Sequence, residues 1–206
     1  MIRGKLITFE GLEGSGKSTH AGLLASKLSE KNYQIKVTRE PGGTRIGEQI
    51  RQITHNRENV DLTAVSESFL MAASRAQHVR EIIRPALEQG MLVICDRYLD
   101  SSLAYQGYGR NLGEDNIFDL NKLAVDNVYP DLTFLLKIPS ELGIKRRNGT
   151  DKIDRLDLQQ KDFYQRVEEG YNKLAEKYKV RYCIVDSTKE IKEVSENIWE
   201  VAKKIL

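Results

Sequence analysis

Short apolar runs alternate along the chain with longer segments whose apolar residues recur at helical spacing. One such run, residues 91–95, is apolar throughout, which is typical of a strand covered on both faces in a parallel sheet. The pattern predicts five strands, at residues 5–9, 34–38, 91–95, 132–136 and 181–185.

Helical spacing is clearest in three segments. After the first strand, Ala21, Leu24, Ala25 and Leu28 lie at i, i+3, i+4 and i+7. A long helix is predicted over 63–88 and another near the C-terminus; their apolar faces are Val65, Phe69, Ala72, Ala76, Val79 and Ile83 in the first, and Ile191, Val194, Ile198, Val201 and Ile205 in the second. Because alternating strands and helices are joined by crossovers, we expect an α/β fold with a five-stranded parallel sheet between two helical layers. We expect residues 1–206 to form one domain.

Composition excludes several classes of protein. The 32 basic and 30 acidic residues nearly cancel, to a net charge of +2, whereas a nucleic-acid binder usually carries a large basic excess. No apolar run is long enough to cross a membrane, and the N-terminus lacks the pattern of a secretory signal. Cys95 and Cys183 each lie in an apolar, strand-like run, so we interpret both as reduced core residues of a cytoplasmic protein.

One motif carries a specific chemistry. Residues 11–18 match GxxxxGK[ST], between a predicted strand and a predicted helix: Gly11, Leu12, Glu13, Gly14, Ser15, Gly16, Lys17 and Ser18. The glycines let backbone N–H groups wrap a phosphate at the N-terminus of the helix. We expect Lys17 to reach the β- and γ-phosphates of ATP, Ser18 to bind Mg²⁺ and Thr19 to contact the α-phosphate. The alternative is a glycine-rich turn without a ligand.

Charged residues follow two of the predicted strands. Asp96 and Arg97 come directly after residues 91–95, at the edge of the sheet where such folds bind ligands, so Asp96 is a candidate for the Mg²⁺ shell and Arg97 for gripping a phosphate. Arg39 and Pro41, in the loop after residues 34–38, are candidates for binding the substrate, because the Pro and Gly residues shape the loop and Arg39 offers a charged fork; an ordinary turn is the alternative. A surface Asp-Arg pair is the alternative at Asp96.

Two further segments suit an acceptor nucleotide. On the long helix, Phe69, Met71 and Arg75 suit a base-binding wall with one charged donor, although such a stripe is also typical of a core. Ser102, Tyr105 and Gln106 offer the hydroxyl and amide groups that a neutral pyrimidine edge requires, or else form a polar helix N-terminus.

A basic, glycine-containing segment suits a mobile lid at about 143–157. It contains Lys145, Arg146, Arg147, Lys152 and Arg155. Such a segment can close over the transferring phosphoryl group and neutralise its charge. A solvated, charged helix end is the alternative, which Asp151, Asp154 and Asp157 favour.

Over essentially its whole length the sequence resembles the thymidylate (dTMP) kinases. The segments that carry the resemblance are residues 9–11 into the phosphate loop, 38–43, 73–75, 96–98 and 104–107. It implies that MgATP phosphorylates dTMP to dTDP in a homodimeric enzyme. Arg75 would then read the thymine edge, Arg97 would hold the monophosphate, and Ser102, Tyr105 and Gln106 would line the base and sugar. Tyr105 would also crowd a 2′-hydroxyl, and Glu13 would contact the 3′-hydroxyl.

The resemblance is to the bacterial-type arrangement, in which the lid supplies the catalytic arginine. None of the variable loop positions, Leu12, Glu13 and Ser15, is a basic residue. The expected lid cations are therefore Arg146 and Arg147, with Arg155. One departure is Met71, which stands where the family usually has a phenylalanine that stacks on the base.

The reaction needs two anions to be positioned and their repulsion screened, a task for Lys17, Mg²⁺, Arg97 and the lid arginines. The nearest rival is a P-loop kinase for another nucleotide or a deoxynucleoside. A nucleotide switch or assembly ATPase is the rival of a different class; for it we identify no water-positioning residue.

Overall fold

A computed structural model describes residues 4–148, 155–156 and 159–206, without the side chains of residues 144, 147 and 148. Five strands form one sheet: β1 (Leu6–Glu10), β2 (Ile35–Arg39), β3 (Leu92–Asp96), β4 (Leu132–Lys137) and β5 (Tyr182–Asp186). All neighbours pair in parallel, in the order β2-β3-β1-β4-β5. The predicted α/β fold with a five-stranded parallel sheet is confirmed.

Helices connect these strands and cover both faces of the sheet. They are α1 (Lys17–Glu30), α2 (Arg45–His55), α3 (Ala64–His78), α4 (Arg84–Glu88), α5 (Leu99–Ser102), α6 (Glu114–Val125), α7 (Ser140–Asn148), α8 (Lys161–Lys177) and α9 (Ile191–Ala202). Two π-helical segments, Val79–Ile83 and Leu103–Gly109, follow α3 and α5 without a break. None of the described helices is both long and apolar enough to span a bilayer.

Each strand ends one residue later than the apolar pattern predicts. The added residue is charged in every case: Glu10, Arg39, Asp96, Lys137 and Asp186. An apolar run stops at the last hydrophobic side chain, whereas the ladder of backbone hydrogen bonds continues past it. The fold therefore places charged groups along the carboxyl edge of the sheet, where parallel α/β sheets bind ligands.

The core has two parts, because alternate strand residues point to opposite faces of the sheet. On one face, Ile7, Phe9 and Ile94 pack against α1 and α9. On the other, Leu6, Val93 and Leu135 pack under the π-helical segments, α6 and α8. The predicted long helix at 63–88 is confirmed as α3, a π-helical turn and α4. Only the later part of its apolar face is buried, because Val65 and Phe69 are more than half exposed.

Candidate active site

A cleft of about 550 Å³ opens at the carboxyl edge of the sheet. It brings together most of the residues predicted for the two substrates: Glu13, Gly14, Gly16, Lys17, Ser18, Thr19, Arg39, Pro41, Met71, Arg75, Asp96, Arg97, Ser102, Tyr105, Gln106 and Arg146. Leu12 and Ser15 are buried within the phosphate loop itself, beside Gly11. One cleft thus contains both a phosphate loop and a cluster of arginines.

The phosphate loop has backbone conformations that its glycines make possible. Gly11, Gly14 and Gly16 all have positive φ, and a Cβ on Gly14 would lie 2.5 Å from the carbonyl oxygen of Gly143. The loop ends at Gly16, which precedes the first residue of α1, Lys17. Unpaired N–H groups at a helix start attract anions, so the local fold is that of a phosphate site.

Lys17 lies folded over this loop. Its Nζ donates to the carbonyl oxygens of Gly11 (3.1 Å) and Leu12 (2.7 Å) and to Ser15 Oγ (3.3 Å). Burial, followed by repulsion from Arg97, lowers the Lys17 pKa to about 8, although nearby carboxylates oppose this. A bound polyphosphate would supply the negative charge that favours the ammonium form.

Ser18 and Asp96 meet across the start of the cleft, although 78 residues separate them in sequence. The Ser18 hydroxyl donates to Asp96 Oδ2. Hydroxyl and carboxylate oxygens are hard ligands of the kind Mg²⁺ prefers, and oxygens already in contact can bind one ion. The donor set therefore fits the metal that the sequence predicted there.

Arg97 occupies the centre of the cleft in a constrained conformation. Its φ is 68°, in the left-handed region that residues other than glycine rarely adopt. Its Nη2 donates to Glu13 Oε1 (2.9 Å) and to the Tyr105 hydroxyl (3.2 Å), and its guanidinium stacks on the Tyr105 ring at 4.9 Å. Burial raises the Glu13 pKa, but Arg97 and Lys17 outweigh it and hold the pKa of that carboxyl below its usual range. An entering phosphate would compete with Glu13 for Arg97.

Arg75 is buried (3% exposed) and held by four groups, which come from α5, α6 and the loops after β2 and β3. Its Nε donates to Glu40 (2.8 Å), Nη1 to Ser102 (2.9 Å) and to Asn121, and Nη2 to the Tyr98 carbonyl (2.9 Å). Since a guanidinium has five N–H groups, these contacts leave one Nη2 hydrogen for a ligand in the described surroundings. Arg75 is therefore rigid and offers a single directed donor.

Gln106 is oriented in a similar way. Its Nε2 donates to the buried carboxylate of Glu67 at 2.8 Å, so its amide oxygen is left to accept. Glu67 also accepts from Arg110 at 3.0 Å. Burial raises the pKa of Glu67, but its hydrogen-bonded partners, Arg110 first, keep it below the ordinary value.

Some predicted residues lie elsewhere or are already paired. Phe69 was expected in the base-binding wall, but it is 59% exposed and does not line the cleft. Residues two positions apart on a helix point to nearly opposite sides, so Phe69 and Met71 cannot face the same cleft. Arg39 lines the cleft margin, where both Nη atoms donate to Glu48 at 3.1 and 2.9 Å. Cys183 was expected in the core, yet it is only partly buried on the edge strand β5.

The predicted lid is described in part. Arg146 is exposed on α7 and donates to the carbonyl oxygens of Ser187 (3.1 Å) and Gly14 (3.4 Å), so it stands over the phosphate loop. The side chain of Arg147, together with Lys152 and residues 149–151, lies outside the described residues. Arg155 was expected as a lid cation, but it is 4% exposed and ion-paired with Glu67, which takes it out of the cleft.

Sequence reasoning missed several residues of the site. Arg51 and His55 line the cleft from one face of α2, and their i, i+4 spacing after the 38–43 segment was an available signal. Burial, followed by repulsion from Arg51, lowers the His55 pKa to about 3, so its imidazole is neutral. Glu40 and Ser101 also reach the cleft, through partners that only the fold supplies.

Comparisons with known proteins agree with this geometry. The sequence model of the family described as thymidylate kinase matches residues 9–198. Thymidylate kinases of Clostridium novyi and Geobacillus thermodenitrificans are 46% and 42% identical, over 96% and 99% of this chain and 98% and 92% of theirs. A crystal structure of thymidylate kinase from Ehrlichia chaffeensis superimposes with a TM-score of 0.79 at 35% identity, covering 98% of this chain and 99% of that one. A phosphate loop facing an arginine-rich pocket, in a fold and sequence shared with these proteins, identifies the chain as a member of the thymidylate kinase family.

Proposed function

We propose that the protein transfers the γ-phosphoryl group of ATP to dTMP, giving ADP and dTDP. The observation that carries this proposal is the pairing, within one cleft, of the phosphate loop with a second phosphate-binding arginine and a base pocket. Lys17 belongs to the ATP side and Arg97 to the acceptor phosphate. Because the acceptor phosphate is already an anionic nucleophile, positioning and charge screening suffice, and no general base is required.

Two buried side chains support thymine as the base. Arg75 has one N–H left to donate, and Gln106 has an amide oxygen left to accept. Thymine and uracil present a carbonyl oxygen next to an N–H, which matches that pair, whereas cytosine presents the reverse. Unmatched buried polar groups are costly, so a cytosine base should be rejected strongly.

Four other residues complete the proposed acceptor site. Met71 is 9% exposed and covers the base, and Ser102 faces the base and sugar. Tyr105 and Glu13 are joined by a 2.6 Å hydrogen bond beside Arg97, where Glu13 is proposed to meet the 3′-hydroxyl and Tyr105 to exclude a 2′-hydroxyl.

We propose that Ser18 and Asp96 hold Mg²⁺ together with the ATP phosphates. The ion would neutralise charge on the transferring group. Arg146, alone or with Arg147, is proposed to supply further positive charge from the lid at about 143–157. Both cysteines are free thiols, as expected in the reducing cytoplasm, where we place the protein.

The partner we propose is a second copy of the chain. Val65 and Phe69 on α3 and Leu123 on α6 are 53%, 59% and 78% exposed, on two helices that pack together. Exposed apolar residues on two adjoining helices favour an interface. Phe69→Glu should give a monomer in sedimentation experiments, whereas Val180→Glu, a change at an isolated residue that is 98% exposed, should not.

A coupled ADP-release assay with MgATP tests the proposed reaction. The acceptors are dTMP, dUMP, UMP, dCMP, AMP and GMP. We expect strong turnover with dTMP, weaker turnover with dUMP and little with the others. Turnover on another nucleotide would support kinase activity but contradict dTMP as the acceptor. ADP release without any acceptor would contradict both parts of the proposal.

A further inference from the structure

A carboxylate lies behind the cleft, at the end of β1. Glu10 is 0% exposed and does not line the cleft. Its Oε1 accepts from the backbone N–H of Tyr98 (2.8 Å), and its Oε2 accepts from the hydroxyls of Ser101 (2.5 Å) and Tyr171 (2.9 Å).

The same two hydroxyls also contact Arg97. Nη1 of Arg97 donates to Ser101 Oγ at 3.0 Å and to the Tyr171 oxygen at 3.3 Å. Each hydroxyl has one hydrogen, and an ionised carboxylate only accepts. With both hydrogens directed at Glu10, both oxygens present lone pairs to the guanidinium. The two hydroxyl oxygens also lie 3.0 Å apart, so each hydrogen can be directed either at Glu10 or at the other hydroxyl. The negative charge of Glu10 favours the arrangement in which both hydrogens point to it and both oxygens accept from Arg97.

The end of β1 also fixes the backbone on both sides of Arg97. The Arg97 N–H donates to the Phe9 carbonyl at 2.9 Å, and the following N–H, that of Tyr98, donates to Glu10. A left-handed residue is stable only where its surroundings hold it. Glu10 thus acts on both the main chain and the side chain of Arg97.

We propose that Glu10 is a positioning residue which, through Ser101 and Tyr171, holds Arg97 in place to bind the acceptor phosphate. This inference rests on the proposed function, since it concerns the grip on that phosphate. Replacing the carboxylate by an amide would put a donor against the two hydroxyls, so one hydroxyl would have to turn its hydrogen toward Arg97.

The charges around Glu10 make this device sensitive to pH. Burial and then Asp100 raise the Glu10 pKa to about 7, against the hydrogen bond from Ser101 and the charge of Arg97. Other titratable groups near it lie on elements packed around β1: Lys17, Cys95, Tyr171, Arg181 and Tyr182. Because the pKa is raised, Glu10 becomes neutral as pH falls through 7, and the grip on phosphate should weaken there.

Calorimetric titrations with dTMP and with thymidine separate the phosphate contribution from that of the base and sugar. Tyr171→Phe should weaken dTMP binding about 5-fold and Glu10→Gln about 30-fold, the usual range for losing a neutral and a charged hydrogen-bond partner. Thymidine, which lacks the phosphate, should bind both variants as it binds the wild type. As the pH is lowered from 8 to 6, the ratio of dTMP affinity to thymidine affinity should also fall more steeply for the wild type than for Glu10→Gln.

Tyr108→Phe is the matched control, because it too removes a hydroxyl that donates to a carboxylate (Glu114, 2.7 Å), outside the cleft. It should leave both affinities unchanged. A folded Tyr171→Phe protein with the wild-type ratio of dTMP to thymidine affinity would overturn the inference, as would equal weakening of both ligands. Wild-type protein that fails to turn over dTMP would instead contradict the proposed function. Thermal unfolding of each variant verifies its fold, and Tyr171→Phe alone decides if Glu10→Gln does not fold.

Discussion

The two halves of the cleft are built in different ways. The ATP half comes from one continuous stretch, residues 11–19, and its shape depends on backbone N–H groups and glycine conformations. The acceptor half collects side chains from the loop after β2, from α2 and α3, from the end of β3 and from a π-helical segment. Ion pairs hold those side chains in place: Arg75 and Glu40 form a buried pair, and Arg97 forms a partly buried pair with Glu13 of the phosphate loop.

Because of this difference, substitutions in the two halves should affect activity and stability differently. In the ATP half, Lys17 can be removed without disturbing partners from distant elements, because its described hydrogen bonds lie within its own loop. In the acceptor half, the side chains proposed to contact the substrate are also those that join the elements. Substitutions there should therefore change stability and specificity together, which the following experiments test.

Lys17→Ala should have the largest effect on activity. We expect kcat to fall about 1,000-fold or more, because the ammonium group proposed to face the β- and γ-phosphates is lost. The free energy of unfolding should change by less than about 1 kcal/mol, since the described Lys17 contacts lie within its own loop. ADP-release kinetics and urea unfolding measure the two quantities. Near-normal turnover would contradict the assignment of residues 11–18 as the loop that binds the ATP phosphates.

Arg75→Ala should have the largest effect on stability. It removes the guanidinium from Glu40, which is 5% exposed and keeps only its contact with His78 Nδ1 (2.9 Å) among the described side chains, and breaking a buried pair costs about 3–5 kcal/mol. Arg39→Ala is the control, because the Arg39–Glu48 pair is exposed and should contribute less than about 1 kcal/mol. Urea unfolding compares them. Equal losses would mean that the acceptor half is not held by its buried pairs.

Arg146→Ala tests the lid. We expect kcat to fall about 10- to 100-fold, with a smaller change in the KM for ATP, because the cation acts on charge that develops during transfer. Lys145→Ala removes an exposed cation from the preceding position of α7 and should turn over normally. If Arg146→Ala and the double variant with Arg147→Ala both keep the wild-type kcat, the lid assignment is wrong.

Met71→Phe sharpens the view of the base pocket. An aromatic ring stacks on a base better than a thioether, so the KM for dTMP should fall about 3- to 10-fold. The KM for ATP serves as the internal control and should not change. An unchanged or higher KM for dTMP would mean that Met71 does not lie over the base.

Proton uptake gives the smallest signal. With a pKa of about 8, Lys17 is about half protonated at pH 8 in the free protein. ATP favours the charged form, so binding at pH 8 should take up about half a proton, and uptake should disappear at pH 6. Calorimetry in buffers with different ionisation enthalpies measures this. Lys17→Ala should show no uptake, and the same uptake in that variant would point to another group.

Local patterns predicted most of the framework. All five strands lie within one residue of their predicted positions. Four are short, largely apolar runs, and the fifth, at residues 34–38, alternates polar and apolar side chains; both patterns are typical of strands. The exposed face at Val65 and Phe69 was not predicted, since apolar spacing indicates which residues share a helix face and not what covers that face.

The sequence by itself determined the phosphate loop, the alternation of strands and helices, and the charged residues at Asp96 and Arg97, since each depends on spacing within a few residues. Only the tertiary structure decided which charged groups pair. Tyr171 reaches Glu10 across 161 residues, and Arg155 turns to Glu67 instead of entering the cleft. No local pattern records such contacts, because hydrogen-bond partners brought together by the sheet and its crossovers can lie at any separation along the chain.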